Sequence, residues 1–93
     1  MAKFTIRVEL HGANSEDYEN LHSQMEKQGF SRTITADNGT EYYLPTAEYN
    51  IEVLLTQQEV LDLAKIAANR TKKSFAALVT ESNGRVWYGL DKV

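Results

Sequence analysis

The chain contains no cysteine. Disulfide bridges, thiolate metal ligands and cysteine nucleophiles are therefore excluded, and the composition suits a reducing cytoplasm. Proline occurs once, at Pro45, and glycine five times. No apolar run approaches the roughly 20 residues of a membrane helix. The opening MAKFTIRVEL lacks the apolar stretch and small-residue cleavage site of a signal peptide, so no membrane partner is expected. Cations do not predominate either. Ten Lys and Arg face thirteen Asp and Glu, a net charge of −3, which argues against strong nonspecific nucleic-acid binding but leaves room for a local basic patch. A phosphate-cradling glycine loop, a GxSxG elbow and an HExxH helix are all missing.

What is present reads as one domain over residues 1–93, with 42% hydrophobic and 25% charged residues, enough for a single core. In FTIRVEL, Phe4, Ile6, Val8 and Leu10 alternate with Thr5, Arg7, Glu9 and His11, the pattern of a strand buried on one face. Asn14 or Ser15 can cap a helix with Glu16 and Asp17 in its first turn, and Tyr18, Leu21 and Met25 form its apolar stripe. Gly29 suits the position just past the helix end, with Phe30 as its hydrophobic contact. Two extended runs follow, FSRTITA and TEYYLPTAEYNIEV, and Asn38-Gly39 between them suits the positive φ angles of a hairpin turn. Pro45 cannot donate to a ladder, so it separates a hairpin arm from a second alternating strand: Ala47, Tyr49, Ile51 and Val53 against Thr46, Glu48, Asn50 and Glu52. Thr56 with Glu59 forms a capping box, opening a helix with Val60, Leu61, Leu63, Ala64, Ala67 and Ala68. KSFAALVTE reads as a further strand, and Asn83-Gly84 signals a hairpin into RVWYGL.

The order β-α-β-β-α-β, plus a terminal β, predicts an α+β, ferredoxin-like split βαβ sandwich. Two helices cover one face of an antiparallel sheet that has an extra C-terminal strand. The first and third strands are then neighbours, and the uncovered face collects Arg7, Glu9 and His11 with Glu48, Asn50 and Glu52. Such a set suits proton transfer or a divalent metal. It also suits an ordinary solvated face with cross-strand charge pairs. His11 stands at a strand end beside a glycine loop, where function often concentrates. His22 borders the helix stripe and reads as structural. Neither histidine has a partner at a metal-ligand spacing, so no metal site and no cofactor is assigned. The basic run NRTKK, with Arg70, Lys72 and Lys73, reads either as a helix C-terminus complementing its dipole or as a phosphate contact. The exposed positions of the central strands, Thr5, Arg7, Glu9, Glu48 and Asn50, are not aromatic, which argues against base stacking there. Tyr42, Tyr43, Trp87 and Tyr88 fall in the hairpin arms, where they pack on one another or stack on a base.

The runs FTIRVELHGANSEDYENLHSQMEKQGFSRTI, YYLPTAEYNIE and VWYGL resemble the GhoS-type antitoxin endoribonucleases, small bacterial proteins, over roughly Phe4 to Leu90. The resemblance implies a ferredoxin-like fold related to that of the CRISPR-associated Cas2 proteins. It also implies cleavage of the messenger RNA of a small membrane-active toxin, so that the protein itself is the antitoxin. Cas2-type nucleases carry an aspartate at the end of the first strand; here Leu10-His11-Gly12 stands there and the first aspartate is Asp17. A ribonuclease acting on single-stranded RNA would use His11 as general base or acid and Arg7 or Arg32 against the phosphate, with Arg32, Arg70, Lys72 and Lys73 as RNA contacts. The alternatives are a noncatalytic module recognising RNA or a protein partner, and an oligomerising regulatory domain, such as a homodimer.

Overall fold

The one-sided alternation at the N-terminus becomes the centre of the fold. In the computed structural model, which describes residues 1–93, β1 (Ala2–Leu10) buries Phe4, Ile6, Val8 and Leu10 and turns Lys3, Thr5, Arg7 and Glu9 the other way. It pairs antiparallel with β4 (Glu48–Val53) on one side, with Arg7 opposite Glu48, Thr5 opposite Asn50 and Lys3 opposite Glu52. On its other side it pairs antiparallel with β5 (Phe75–Ser82), with Arg7 opposite Leu78 and Glu9 opposite Ala76. The resulting sheet order is β4-β1-β5.

The helices start and stop where their residues dictate. α1 (Ser15–Lys27) is capped by Asn14, whose side chain accepts the Asp17 amide while the Asp17 carboxylate accepts the Asn14 amide. This reciprocal box satisfies two of the free donors at the helix start. At the other end Gly29, at φ +94°, lets its N–H reach the Glu26 carbonyl and the Phe30 N–H reach the Met25 carbonyl. Both bonds of a Schellman stop are present, and Phe30 is driven into the core. α2 (Gln57–Asn69) opens with the Thr56–Glu59 box and turns Val60, Ala64, Ala67 and Ala68 inward. Three alanines on that face let the helix lie close to the sheet and to α1. Both helices pack on the same face of the sheet, because one cluster of thirteen buried residues joins Phe4, Ile6, Val8, Tyr49 and Ile51 to Leu21, Met25 and the α2 stripe.

Between α1 and β4 runs a small hairpin, β2 (Thr33–Thr35) with β3 (Glu41–Tyr43). Its turn differs from the expected two-residue type. The Gly39 N–H closes on the Ala36 carbonyl, and Gly39 alone takes positive φ, with Asn38 accepting the Thr40 amide through its side chain. The longer loop needs one left-handed residue instead of two. The hairpin meets the main sheet through the reciprocal bonds of Ser31 and Asn50, each 2.8 Å. Pro45 falls between β3 and β4, as its missing N–H requires, and its carbonyl accepts the Glu48 amide. Ala47, expected within the strand alternation, takes φ +70° instead. It is the bend before the ladder, and its carbonyl accepts the Val8 amide.

The C-terminal segment corrects the sequence reading. No strand follows Asn83-Gly84, and RVWYGL does not pair with β5. Instead the tail crosses the open face of the sheet and returns to the small hairpin. There the Tyr43 amide donates to the Asp91 carbonyl and the Val93 amide to the Glu41 carbonyl. Within the tail Val86 and Tyr88 are almost fully exposed. Tyr42 and Trp87 do pack on each other, edge-on at 5.5 Å, whereas Tyr88 does not join them.

Candidate functional site

The uncovered face of the sheet presents Lys3, Thr5, Arg7 and Glu9 along β1 and Glu48, Asn50 and Glu52 along β4. Part of this polar set is the solvated charge pairing that any open sheet carries. Lys3 Nζ lies 3.8 Å from Glu52 Oε1, and both side chains are about half exposed. Such a pair contributes little to stability. Arg7, opposite Glu48 and Leu78, has no ion pair within 4 Å.

His11 sits just past β1 and prolongs the ladder, its amide donating to the Ser74 carbonyl at 2.9 Å. Its imidazole is held from both sides: Nε2 is 3.4 Å from Glu9 Oε1, and Nδ1 is 3.3 Å from the Ser74 hydroxyl. In the tautomer protonated at Nε2, Nδ1 carries the free lone pair and faces the Ser74 hydroxyl. That is the arrangement a general base needs, and half of the imidazole remains open to solvent. Glu9 lay in the expected set; Ser74 did not. Its signal was the antiparallel register of β1 and β5, which sets residue 74 opposite residue 11.

The remaining predicted residues divide. The NRTKK run lies at the same end of the molecule as His11, next to Ser74. Lys73 pairs with Asp17 of α1 at 3.7 Å, and the Arg70 guanidinium reaches Gln24 of α1 at 3.5 Å. α2 has no basic residue in its last turn, Arg70 is its C-cap, and the two lysines lie beyond its end. Arg70 stands where a cation meets the C-terminal end of its own helix, while Lys73 neighbours α1. Arg32 lies elsewhere, beside His22 and Tyr49 on the helix-covered side of the sheet. Arg7 and His11 therefore share the open face, whereas Arg70 and Lys73 are drawn toward α1 on the helix-covered side, where Arg32 also lies.

His22 and Tyr49 form a second pairing that sequence reading saw only as core. The His22 Nδ1 is 2.6 Å from the Tyr49 hydroxyl, and both residues are buried. Burial lowers the His22 pKa below its ordinary 6.5, and the nearby Arg32 cation lowers it further against the opposing effect of Glu19 and Glu26. Burial likewise raises that of Tyr49 far above the ordinary tyrosine value. Both side chains are thus held neutral, and with the imidazole neutral Nδ1 can accept the hydroxyl proton.

Arg85 is the residue sequence reading missed altogether. From the tail, its Nη1 donates to Asn50 Oδ1 at 2.7 Å and to Thr5 Oγ1 at 3.3 Å. This fixes a guanidinium on the open face beside the part of β1 that carries Arg7. No group of three or more carboxylate, histidine or cysteine side chains is clustered so as to hold a metal ion, and no helix is long and apolar enough to cross a membrane.

No curated relative matches the chain. The family model described as Endoribonuclease GhoS matches residues 1–83, which runs from the start of the chain to just past the end of β5 and takes in both helices and all five strands. The chain belongs to the GhoS endoribonuclease family, antitoxins that act by cleaving toxin messenger RNA.

Proposed function

We propose that the chain cuts single-stranded RNA at the His11 end of its open sheet face, and that the chemistry is carried by its own side chains. The observation that carries this reading is the imidazole of His11 held between Glu9 and Ser74. A substrate 2′-hydroxyl taking the place of the Ser74 hydroxyl would give its proton to Nδ1. The 2′-oxygen then bonds to phosphorus as the bond from phosphorus to the 5′-oxygen breaks. The imidazolium so formed, stabilised by Glu9, returns a proton to the departing 5′-oxygen. The products are a 2′,3′-cyclic phosphate and a 5′-hydroxyl end. Arg7 lies four residues back along the strand, at about 3.3 Å of rise per residue. Its guanidinium can therefore reach toward a phosphate seated above Glu9 and stabilise the charge that develops there. Lys72 and Lys73 supply contacts to the strand beyond the cut, and Arg70 stands behind them.

The sheet order β4-β1-β5, with β2 next to β4 through the Ser31–Asn50 bridge, supports the ferredoxin-like split βαβ arrangement. The free edge of β5, with Leu78 exposed, supports a homodimer, which sedimentation velocity would test. Messenger RNA as substrate supports a cytoplasmic site of action.

The test of the nuclease reading is His11→Ala assayed on toxin transcript. Loss of cleavage by about 10²-fold or more, with the fold intact by circular dichroism, is expected for a general base. Unchanged cleavage would remove His11 from the mechanism. End analysis of the wild-type products supplies a second check, since a 3′-hydroxyl end would be incompatible with attack by the 2′-oxygen.

A further inference from the structure

The tail from Gly84 to Val93 lies beyond the family match, and the chemistry above makes no use of it. It encloses, with the sheet and the small hairpin, a cleft of about 410 Å³ whose walls include Lys3, Asp37, Ser82, Arg85 and Trp87. We propose that this cleft is a subsite for one nucleotide of the RNA strand, with the base against Trp87 and the phosphate on Arg85 and Lys3. The proposal rests on RNA being the substrate of the open face.

Three features carry it. First, the Arg85 guanidinium is anchored but not used up. Both of its hydrogen bonds leave from Nη1, so the N–H groups on Nε and Nη2 stay available to a phosphate. Because Thr5 and Asn50 already hold the group in place, little freedom is lost when an anion binds. Second, Trp87 meets Tyr42 edge-on, at 60°. In that geometry at least one indole face is left uncovered by Tyr42, and indole is a strong stacking platform for any base. Third, the size fits a small ligand: pockets for such molecules run from roughly 300 to 1,000 Å³.

The charges refine the prediction. Lys3 is paired with Glu52, and Asp37 stands in the same wall, so the two cations are offset by two carboxylates. Attraction to the cleft therefore comes from stacking and from the fork of one guanidinium, not from a basic field. Binding there should depend on salt about as steeply as one released counterion allows.

Trp87 is the only tryptophan, so tryptophan fluorescence reports on the surroundings of this one side chain in the cleft wall. The probe is a short mixed-sequence single-stranded RNA with 2′-O-methyl sugars, which lacks the hydroxyl needed for cleavage. We expect saturable quenching of Trp87 and a Kd about tenfold weaker in Arg85→Ala, the loss of a charge-assisted contact, with a smaller loss in Lys3→Gln. On cleavable RNA, Arg85→Ala should raise KM and leave kcat in place. The emission of free Arg85→Ala shows whether the tail has stayed on the sheet. If that emission shifts, Arg85→Lys decides the matter, since lysine keeps a donor for Asn50 but loses the fork; wild-type affinity in that variant would overturn the proposal. Trp87 emission unmoved by the probe, with RNA still cut by the wild type, would overturn the subsite and leave the nuclease reading standing. Quenching without any cleavage of natural RNA would keep the subsite and sink the role given to His11.

Discussion

The Nδ1 of His22 lies 2.6 Å from the hydroxyl of Tyr49, a buried polar bond that ties α1 to β4 through an otherwise apolar core. Neither partner has water to fall back on, so each is costly without the other. Tyr49→Phe removes the hydroxyl and almost no volume. Urea denaturation should show a loss of about 1–3 kcal/mol, the penalty for a buried polar group left without its partner. An unchanged midpoint would mean that the imidazole finds another partner.

The same pair makes stability depend on pH. Burial and Arg32 hold the His22 pKa below 6.5 in the folded protein, while in the unfolded chain it returns to its ordinary value. Between those two values the unfolded state binds more protons, so stability rises with pH across that window. His22 thus contributes fully above about pH 6.5 and loses its contribution as the pH falls toward its folded value. Thermal melts from neutral to mildly acidic pH should show Tm falling. The fall should be shallower in His22→Gln, and equal slopes in both proteins would remove His22 as the cause.

Glu9 and Ser74 act on opposite sides of His11 and should separate kinetically. Glu9→Gln removes the anion that stabilises the imidazolium, and kcat on transcript RNA should fall by about tenfold, a fraction of what the general base itself contributes. Ser74→Ala removes only the hydroxyl that substrate would displace, so kcat should hold or rise slightly. A large loss in Ser74→Ala would assign the serine a part in the chemistry itself.

Removing the tail after Asn83 should leave a cooperatively folded protein, because all thirteen residues of the buried cluster precede that point. The small hairpin should loosen, since the Tyr43 amide and the Glu41 carbonyl lose their partners. Faster amide exchange at Tyr43, with little change at Ile6 and Val8, is the expected hydrogen-exchange signature.

Local chemistry made most of this architecture legible. The reciprocal boxes at Asn14 and Thr56, the stop at Gly29 and the break at Pro45 each depend on residues a few positions apart, and each stands where the sequence puts it. The alternation of β1 identified its open face because only one side of that strand is apolar. The tail was misread for a related reason: Val86, Trp87 and Tyr88 have the composition of a strand, but they cross the sheet, where Arg85 meets Asn50 and Asp91 meets Tyr43, long-range contacts with no local signature. Ser74 shows the same limit, since its place beside His11 exists only through strand register. Arg32 was grouped with the other cations by charge alone, and charge does not say which side of a sheet a residue faces.

The position of β1 has a consequence for how the molecule comes into being. Its neighbours, β4 and β5, both come later in the chain, so β1 leaves the ribosome before either partner and waits longest for the second. Until β5 emerges, one edge of the central strand is bare and the histidine at its end has no serine beside it. Contacts so distant in sequence make for slow folding. The pairing of His11 with Ser74 thus forms only after the start of β5 has been translated.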